Sequence, residues 1–380
     1  MAAKVIGINL LSFDSASLTG VGYFFKRLIE ALPPVAELEF AVFCQESFPL
    51  DQVIRVPAGV SWRRVNVPVF RSRWKRIFYE QTILPFRARG VDVLFSPCVA
   101  NPLFSTGYRT VCTIHDLTPF FFPEKYGFVQ RSYIKAITRL LASFSSVVIT
   151  VSENSKADLI RVLGVNPANI EVLYNCVSER PAAEIRYDNY FLAVGTRQPG
   201  KNLAGVIRAF AEFSSKYDHG AHELKIVGGS GWGNDECCKL VAELAMQDRI
   251  HFTGYVPEEV LDQLYRCCKG LILLSFYEGF GIPVLEALTW NKPAVVSNVS
   301  SLPEVAGTTG ILVDPLDSDA AARAIRDIAE DPISHLRGRD AQLAKFSPRV
   351  QTQKFLSILS TQANKPPLWR SQMTSRSASR

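Results

Sequence analysis

The chain has 380 residues, of which 47% are hydrophobic and 11% aromatic, so wholesale disorder, collagen-like repeats and coiled-coil arrays are excluded and about two domains are expected. Its 42 basic and 36 acidic residues leave a formal charge of +6, which permits anionic partners but does not argue for nucleic acid, and no nucleic-acid partner is expected. No apolar run reaches the roughly 18 residues of a membrane span; the stretch from Met1 to Leu11 is broken by Asn9 and followed by Asp14, so it reads as a buried strand rather than a signal peptide, and a cytoplasmic location is expected.

Short β-branched runs alternate with longer amphipathic stretches, the pattern of βα units on a parallel sheet. In chain order, Val5 to Leu10 predicts a strand and Tyr23 to Leu32 a helix, ended by Pro33-Pro34. Strands follow over Leu38 to Phe43, Val91 to Phe95, Thr110 to Ile114 and Val147 to Val151. Ser152 suits the N-cap of a helix running to Leu163, with Gly164 as its stop. Strand-like Ile170 to Tyr174 closes the first series. Ser178-Glu179-Arg180-Pro181 then breaks the periodicity, and residues 178–189 read as an interdomain linker. The second series has strands over Phe191 to Val194, Leu224 to Val227, Ile250 to Thr253, Leu271 to Leu274, Ala294 to Val296 and Ile311 to Val313. Helices are expected near 202–216, 235–247, 257–267, 282–290 and 318–330. The tail, rich in Ser and Arg, reads as disordered.

Eight cysteines show no C-x-x-C spacing, and the pairs Cys237-Cys238 and Cys267-Cys268 fall on helical segments; they are expected to be reduced, small, buried side chains. Five histidines without H-E-x-x-H spacing give no metal signature. Asp317-Ser318-Asp319 has the D-x-D spacing of metal–nucleotide sites, but it precedes an Ala-rich helix and reads as an N-cap.

Ligands of open α/β sheets collect at the carboxyl ends of strands. Directly after the Leu271 strand comes Glu278-Gly279-Phe280-Gly281-Ile282-Pro283-Val284-Leu285-Glu286. The glycines allow a tight turn, Pro283 suits the first turn of a helix starting near Ile282, and free amides there would face an anion. Glu278 and Glu286 could flank one ligand and accept bonds from its hydroxyls; a capping Glu and a solvated Glu are the plainer reading. After the Phe191 strand, Gly195-Thr196-Arg197-Gln198-Pro199-Gly200-Lys201-Asn202 places two cations where a diphosphate would sit, unless the loop is simply solvated. Thr19-Gly20-Val21-Gly22-Tyr23 is a weak phosphate-approach motif or a plain turn. Gly228 to Asn234 lacks dinucleotide spacing, which disfavours a dehydrogenase. His115-Asp116 stands at a strand's carboxyl end, where a cleft or a structural role would each fit.

Taken together, the Glu278 to Glu286 segment, the Gly-Thr-x-x-Pro-x-Lys-Asn loop at 195–202 and Ser297-Asn298-Val299-Ser300-Ser301-Leu302-Pro303-Glu304-Val305 resemble the family-4 retaining glycosyltransferases. The resemblance implies an α/β GT-B fold, two Rossmann-like domains facing across a cleft, over 1–177 and 190–345. A C-terminal helix at 346–362 would pack back on the first domain, leaving 363–380 as the tail. It implies a nucleotide-sugar donor and neither metal nor cofactor. By position, Glu286 would bind the donor ribose and Glu278 the donor sugar. Arg197 and Lys201 would neutralise the leaving diphosphate, aided by amides at Phe280, Gly281 and Ile282. Gly20 and Gly22 would touch the phosphates, His115 would lie by the sugar, and Tyr255 and Val256 would lie by the base. Relatives carry Pro-Arg-Lys-Asn where this chain has Pro199-Gly200-Lys201-Asn202, and Arg197 is expected to substitute for the missing arginine.

Gly20-Val21-Gly22-Tyr23, His115 to Pro119 and Pro123-Glu124 resemble the bacterial mannosyltransferase branch, which implies GDP-mannose, with UDP-linked donors as the alternative. Arg71, Arg73, Lys75, Arg76, Arg87 and Arg89 lie among Phe70, Trp74, Phe78 and Tyr79, with Phe120-Phe121-Phe122 downstream. Basic and aromatic residues together suit an anionic membrane surface and a lipid-linked saccharide acceptor, as well as an ordinary solvated helix over a core stripe.

Overall fold

The computed structural model describes residues 3–13, 18–177, 186–229 and 234–366. The chain divides into two compact units, Met1–Cys176 with Ser347–Arg380, and Val177–Phe346. Each is built on one parallel sheet. The first has β1 (Lys4–Asn9), β2 (Val35–Gln45), β3 (Val60–Val67), β4 (Val93–Ser96), β5 (Arg109–Thr113), β6 (Val147–Thr150) and β7 (Ile170–Val172), in the order β3-β2-β1-β4-β5-β6-β7. The second has β8 (Tyr190–Val194), β9 (Glu223–Val227), β10 (Ile250–Gly254), β11 (Leu271–Leu273), β12 (Ala294–Ser297) and β13 (Gly310–Val313), in the order β10-β9-β8-β11-β12-β13. In both units the chain starts mid-sheet, builds one half outward, then returns to build the other; this is the Rossmann order, and its reversal point lies beside β1 and β8. Ile6 of β1 pairs with Phe40 and Val93, and Leu271 of β11 with Leu192 and Ala294. This pair of Rossmann-like units is an α/β arrangement of the GT-B kind.

Strands inside the sheets are buried along most of their length, which is why β4 and β6 are near-continuous apolar runs rather than alternating ones. β3 breaks that rule and escapes the sequence reading. It is an edge strand, with Ser61, Arg63 and Asn66 exposed and Arg63 ion-paired to Glu39 on β2. The first helix starts at Gly20, three residues before the expected Tyr23, and ends at Glu30.

The Pro348–Ala363 helix belongs to the first unit. Phe355 is fully buried with its ring 5.0 Å from Phe95, and Thr352 Oγ1 donates to the Leu28 carbonyl. In the second unit the Ser318–Glu330 helix buries Ala321, Ala322, Ala324, Ile325 and Ile328, the 3–4 spacing of a core-facing stripe. Asp317 caps it, accepting from the Ala320 amide at 2.8 Å, so the D-x-D sequence there is a helix start. All eight cysteines are free; six are buried, whereas Cys238 is exposed and Cys98 partly so. Residues 178–185 of the expected linker, 230–233 of the glycine-rich loop and 367–380 of the tail lie outside the described residues. The tail's expected start at 363 falls on the last residue of a helix. No helix among the described residues is long and apolar enough to cross a membrane.

One buried charge gives the first unit a pH signature. Glu80 is 2% exposed, and Arg76 Nε lies 3.7 Å from its Oε1. Burial outweighs the arginine and pushes the carboxyl up from 4.5 to about 7. A raised carboxyl pKa means the folded state holds the proton more tightly than the unfolded one. The contribution is therefore fully present below about 4.5 and is lost as pH rises through about 7. The shift corresponds to about 3 kcal/mol at most. Denaturant midpoints should fall between pH 5 and 7.5 in the wild type and lose that part of their slope in Glu80→Gln. An unchanged slope would show that Glu80 titrates normally.

Candidate active site

The strongest grouping of charged residues forms at the carboxyl end of the second sheet. After β8, Gly195 continues the pairing through its amide to the Val227 carbonyl, and Pro199–Lys201 forms a single tight turn. Asn202 then adopts a left-handed conformation at φ 48°. Its Oδ1 accepts from the Gly205 amide and caps the Leu203–Phe213 helix, while its Nδ2 donates to the carbonyls of Leu274 (3.0 Å) and Pro315 (2.9 Å). One side chain thus fastens the loop to the neighbouring strand ends. A β-carbon on Gly205 would fall 2.5 Å from the Asn202 amide, so the glycine makes room for the cap.

That clamp aims Lys201 at Glu278. Nζ donates to Oε1 at 2.6 Å and Oε2 at 2.7 Å, and Ser275 Oγ donates to Oε1 at 2.8 Å. The side chains are 23% and 11% exposed, so the pair sits in a partly dry setting where charge acts strongly. The Phe276 amide donates to the Gly200 carbonyl at 2.9 Å, tying the two loops together.

The Glu278 turn is held from the other side by the loop after β12. Ser300 Oγ receives the Glu278 amide at 3.1 Å and lies 2.8 Å from its carbonyl; Ser301 Oγ bridges the carbonyls of Glu278 (3.0 Å) and Phe280 (2.7 Å). Gly281 closes the turn at φ 107°, where a β-carbon would lie 2.6 Å from Leu302 Cδ2. The Ile282–Thr289 helix starts as expected at Ile282, and Gly281 offers its first turn no side-chain cap. The positive end of that helix is therefore left for an anion. Glu286, one turn in, is half-buried beside the Tyr265 phenol, whose pKa is pushed well up by burial and then by the Glu286 carboxylate.

Other expected residues stand apart from this group. Arg197 lays its guanidinium over the Phe252 ring, 5.0 Å from the centroid, with Nε buried and without a hydrogen-bond partner. The Phe280 side chain is 3% exposed and packs edge-on against Phe346 at 5.3 Å, so the ring is a packing element. Tyr255 is 79% exposed just past β10, and Val256 is half-buried.

In the first unit, Gly20 and Gly22 are not a turn before the helix but its first residues. Gly22 is there for packing, since a β-carbon would meet Leu18 Cδ2 at 2.8 Å. His115, past the end of β5, meets the Pro97 carbonyl through Nε2 at 2.8 Å and the Phe24 ring edge-on at 5.0 Å. A carbonyl only accepts, so Nε2 carries the hydrogen and Nδ1 is the acceptor nitrogen. Burial lowers the His115 pKa, which keeps the ring neutral at pH 7. Asp116 is a turn residue: its Oδ1 accepts from the Thr118 amide at 2.7 Å.

Ser275, Ser300, Ser301 and Asn202 are the site's supports. Their signal in the sequence was a polar residue just past a strand's end, but nothing there names the carbonyls they reach. Among the described residues no cluster of three His, Cys, Asp or Glu could hold a metal ion.

A cation–carboxylate pair beside a helix start, at the carboxyl end of a parallel sheet, is an arrangement that suits a phosphate-bearing ligand. The model for glycosyl transferases group 1 matches residues 179–345, and that for glycosyltransferase family 4 matches residues 18–180. The O-antigen chain mannosyltransferase B of Escherichia coli is 33% identical over 361 residues, covering 87% of this chain and 93% of that protein. The O-antigen chain mannosyltransferase RfbU of Salmonella typhimurium is 31% identical over 58% of this chain and 61% of its own length. Sucrose-phosphate synthase of Thermosynechococcus elongatus has the same fold, with a TM-score of 0.72 at 21% identity, covering 94% of this chain and 98% of that one. The chain belongs to the family-4 glycosyltransferases.

Proposed function

We propose that this glycosyltransferase moves mannose from GDP-mannose, with retention and without a metal ion, onto a lipid-linked saccharide in bacterial polysaccharide assembly. The observation that carries the chemistry is the Lys201–Glu278 pair beside the start of the Ile282–Thr289 helix. The names of the two O-antigen relatives support the mannosyl part.

On this reading the donor diphosphate lies between Lys201 and the helix start. Negative charge grows on it as the bond from the sugar's anomeric carbon to phosphate oxygen breaks, and the fixed cation and amides stabilise that charge without reorganising. The acceptor oxygen bonds to the same face of the carbon, and its proton passes to the departing phosphate oxygen. Glu278 acts on the sugar hydroxyls and on Lys201, not as a nucleophile. Glu286 accepts the ribose hydroxyls, and Tyr255 and Val256 border the base. In the first unit, His115 offers Nδ1 to a hydroxyl of the saccharide acceptor. Arg197, turned off Phe252, supplies the second cation that Gly200 lacks. Exposed Trp74 and Phe78 among the arginines of the first unit suit peripheral contact with the cytoplasmic face of an anionic membrane.

Thermal unfolding with GDP, UDP and ADP, with EDTA present, tests the donor. Native-state ligands stabilise by RT ln(1 + [L]/Kd). GDP should raise Tm and the other two should not. A response to UDP alone removes mannose from the reading, and no response to any removes the donor site.

A further inference from the structure

A second candidate anion locus lies in the first unit, among the arginines near Trp74 and Phe78. A polar cavity of about 340 Å³ is lined by Gln45, Phe70, Arg71, Ser72, Arg73 and Arg76. It opens at the carboxyl ends of β2 and β3, the edge where parallel sheets take ligands. We propose that this cavity binds the phosphate or diphosphate group of the acceptor. This proposal rests on the lipid-linked acceptor of the preceding reading.

Four features converge there. Arg71, Arg73 and Arg76 all line one small volume, and among the described residues neither Arg71 nor Arg73 is in an ion pair within 4.0 Å, although Arg73 acts on Glu80 at longer range and has its guanidinium 5.9 Å from the Tyr133 ring centroid. The Arg73–Thr82 helix begins at the cavity with no acidic residue in its first turn, and Ser72 makes no side-chain capping bond, so its amides and positive dipole end are left for a ligand. Arg76 Nε is buried without a hydrogen-bond partner, since Glu80 at 3.7 Å is too far for one. The wall is rigid: Gln45 donates to the Leu11 carbonyl at 3.0 Å and accepts from the Phe70 amide at 2.8 Å, pinning the turn to β1 and β2.

The surroundings say what the anion is attached to. Trp74 and Phe78, one turn apart on the same helix, are 57% and 65% exposed, and Trp74 stacks edge-on with Tyr133 at 5.4 Å. A phosphate bearing an apolar chain satisfies both the arginines and these rings. His115 follows β5, three strand spacings from β2, or about 14 Å along the sheet edge. A phosphate in the cavity with a sugar near His115 therefore describes an acceptor whose reacting residue is only a few sugars from its lipid.

The test is calorimetric titration of the full chain with inorganic pyrophosphate and with geranyl diphosphate. It is run on a Lys201→Ala background with GDP present in excess, so that the donor locus is weakened and filled. Both should bind, geranyl diphosphate more tightly. Arg71→Gln with Arg73→Gln should weaken both at least tenfold; these side chains are exposed and their loss spares the core. Ser72→Asp separates site from scaffold: aspartate caps a helix as well as serine does and its charge suits the helix dipole, so Tm should hold or rise, while the added charge should cut affinity at least tenfold. Unchanged affinity in both variants, or no binding by the parent, overturns the proposal. Binding of phosphatidylglycerol vesicles that the variants lose, with geranyl diphosphate affinity intact, also overturns it, since the arginines then serve bilayer headgroups. The nucleotide titration reads the donor separately, so either reading can fail alone.

Discussion

Replacing Lys201 by alanine should lower kcat/KM about 10³-fold, or about 4 kcal/mol, the loss expected when a preorganised charge is withdrawn from a developing anion. The geometry makes the effect larger than for an ordinary surface lysine. Lys201 is aimed by the Asn202 clamp and reaches both oxygens of Glu278 at 2.6 and 2.7 Å, with Ser275 fixing the carboxylate behind it. Removing it also leaves Glu278, 11% exposed, facing the donor diphosphate with its charge uncompensated. Steady-state kinetics should show kcat falling more than donor KM rises, because the charge appears as the bond breaks. Arg197→Ala reads the second cation on the same scale, and a loss of ten- to a hundredfold is expected. Wild-type rates in Arg197→Ala beside an inactive Lys201→Ala would return Arg197 to its stacking role on Phe252.

Gly281→Ala should destabilise the second unit and distort the candidate site together. The position combines φ 107° with a β-carbon 2.6 Å from Leu302 Cδ2, and Leu302 is fully buried, so neither the backbone nor the neighbour can give way. Strain of about 1–3 kcal/mol is expected from the backbone alone. At about 2–4 °C per kcal/mol, Tm should drop by about 2–12 °C. The helix start would shift with it, so nucleotide stabilisation should disappear too. Gly164→Ala is the control: it shares a positive φ of 67° but faces open space and no site, so it should cost about 1 kcal/mol and keep the nucleotide response. Equal Tm losses in the two variants would show that the Leu302 contact carries no weight.

The contrast between these positions and others shows what local chemistry could and could not reveal. Buried strands announced themselves as apolar runs, and the Gly281-Ile282-Pro283 start was legible because proline fixes φ at a value that suits a first helical turn, while glycine alone takes a positive φ freely. β3 was hidden because an edge strand exposes half its residues to water, so Ser61, Arg63 and Asn66 read as loop. Gly22 looked like a turn because glycine's two uses, freedom of backbone and absence of a side chain, are identical in sequence; only the Leu18 contact tells them apart. Lys201 and Glu278 were both singled out, yet their pairing spans 77 residues and depends on Asn202 reaching Leu274 and Pro315. The cavity of Arg71, Arg73 and Arg76 was visible as a basic, aromatic stretch, but its depth comes from Gln45 on another strand.

The central claim is that this pair and helix start serve retaining mannosyl transfer without a metal. Incubating the chain with GDP-mannose, EDTA and a synthetic mannosyl lipid diphosphate, then reading the anomeric signal of the new linkage by NMR, tests it most directly. Transfer should run at an unchanged rate in EDTA and give a product with the α-configuration of the donor. A β-linked product, or transfer that stops on chelation and returns with a divalent cation, would contradict it.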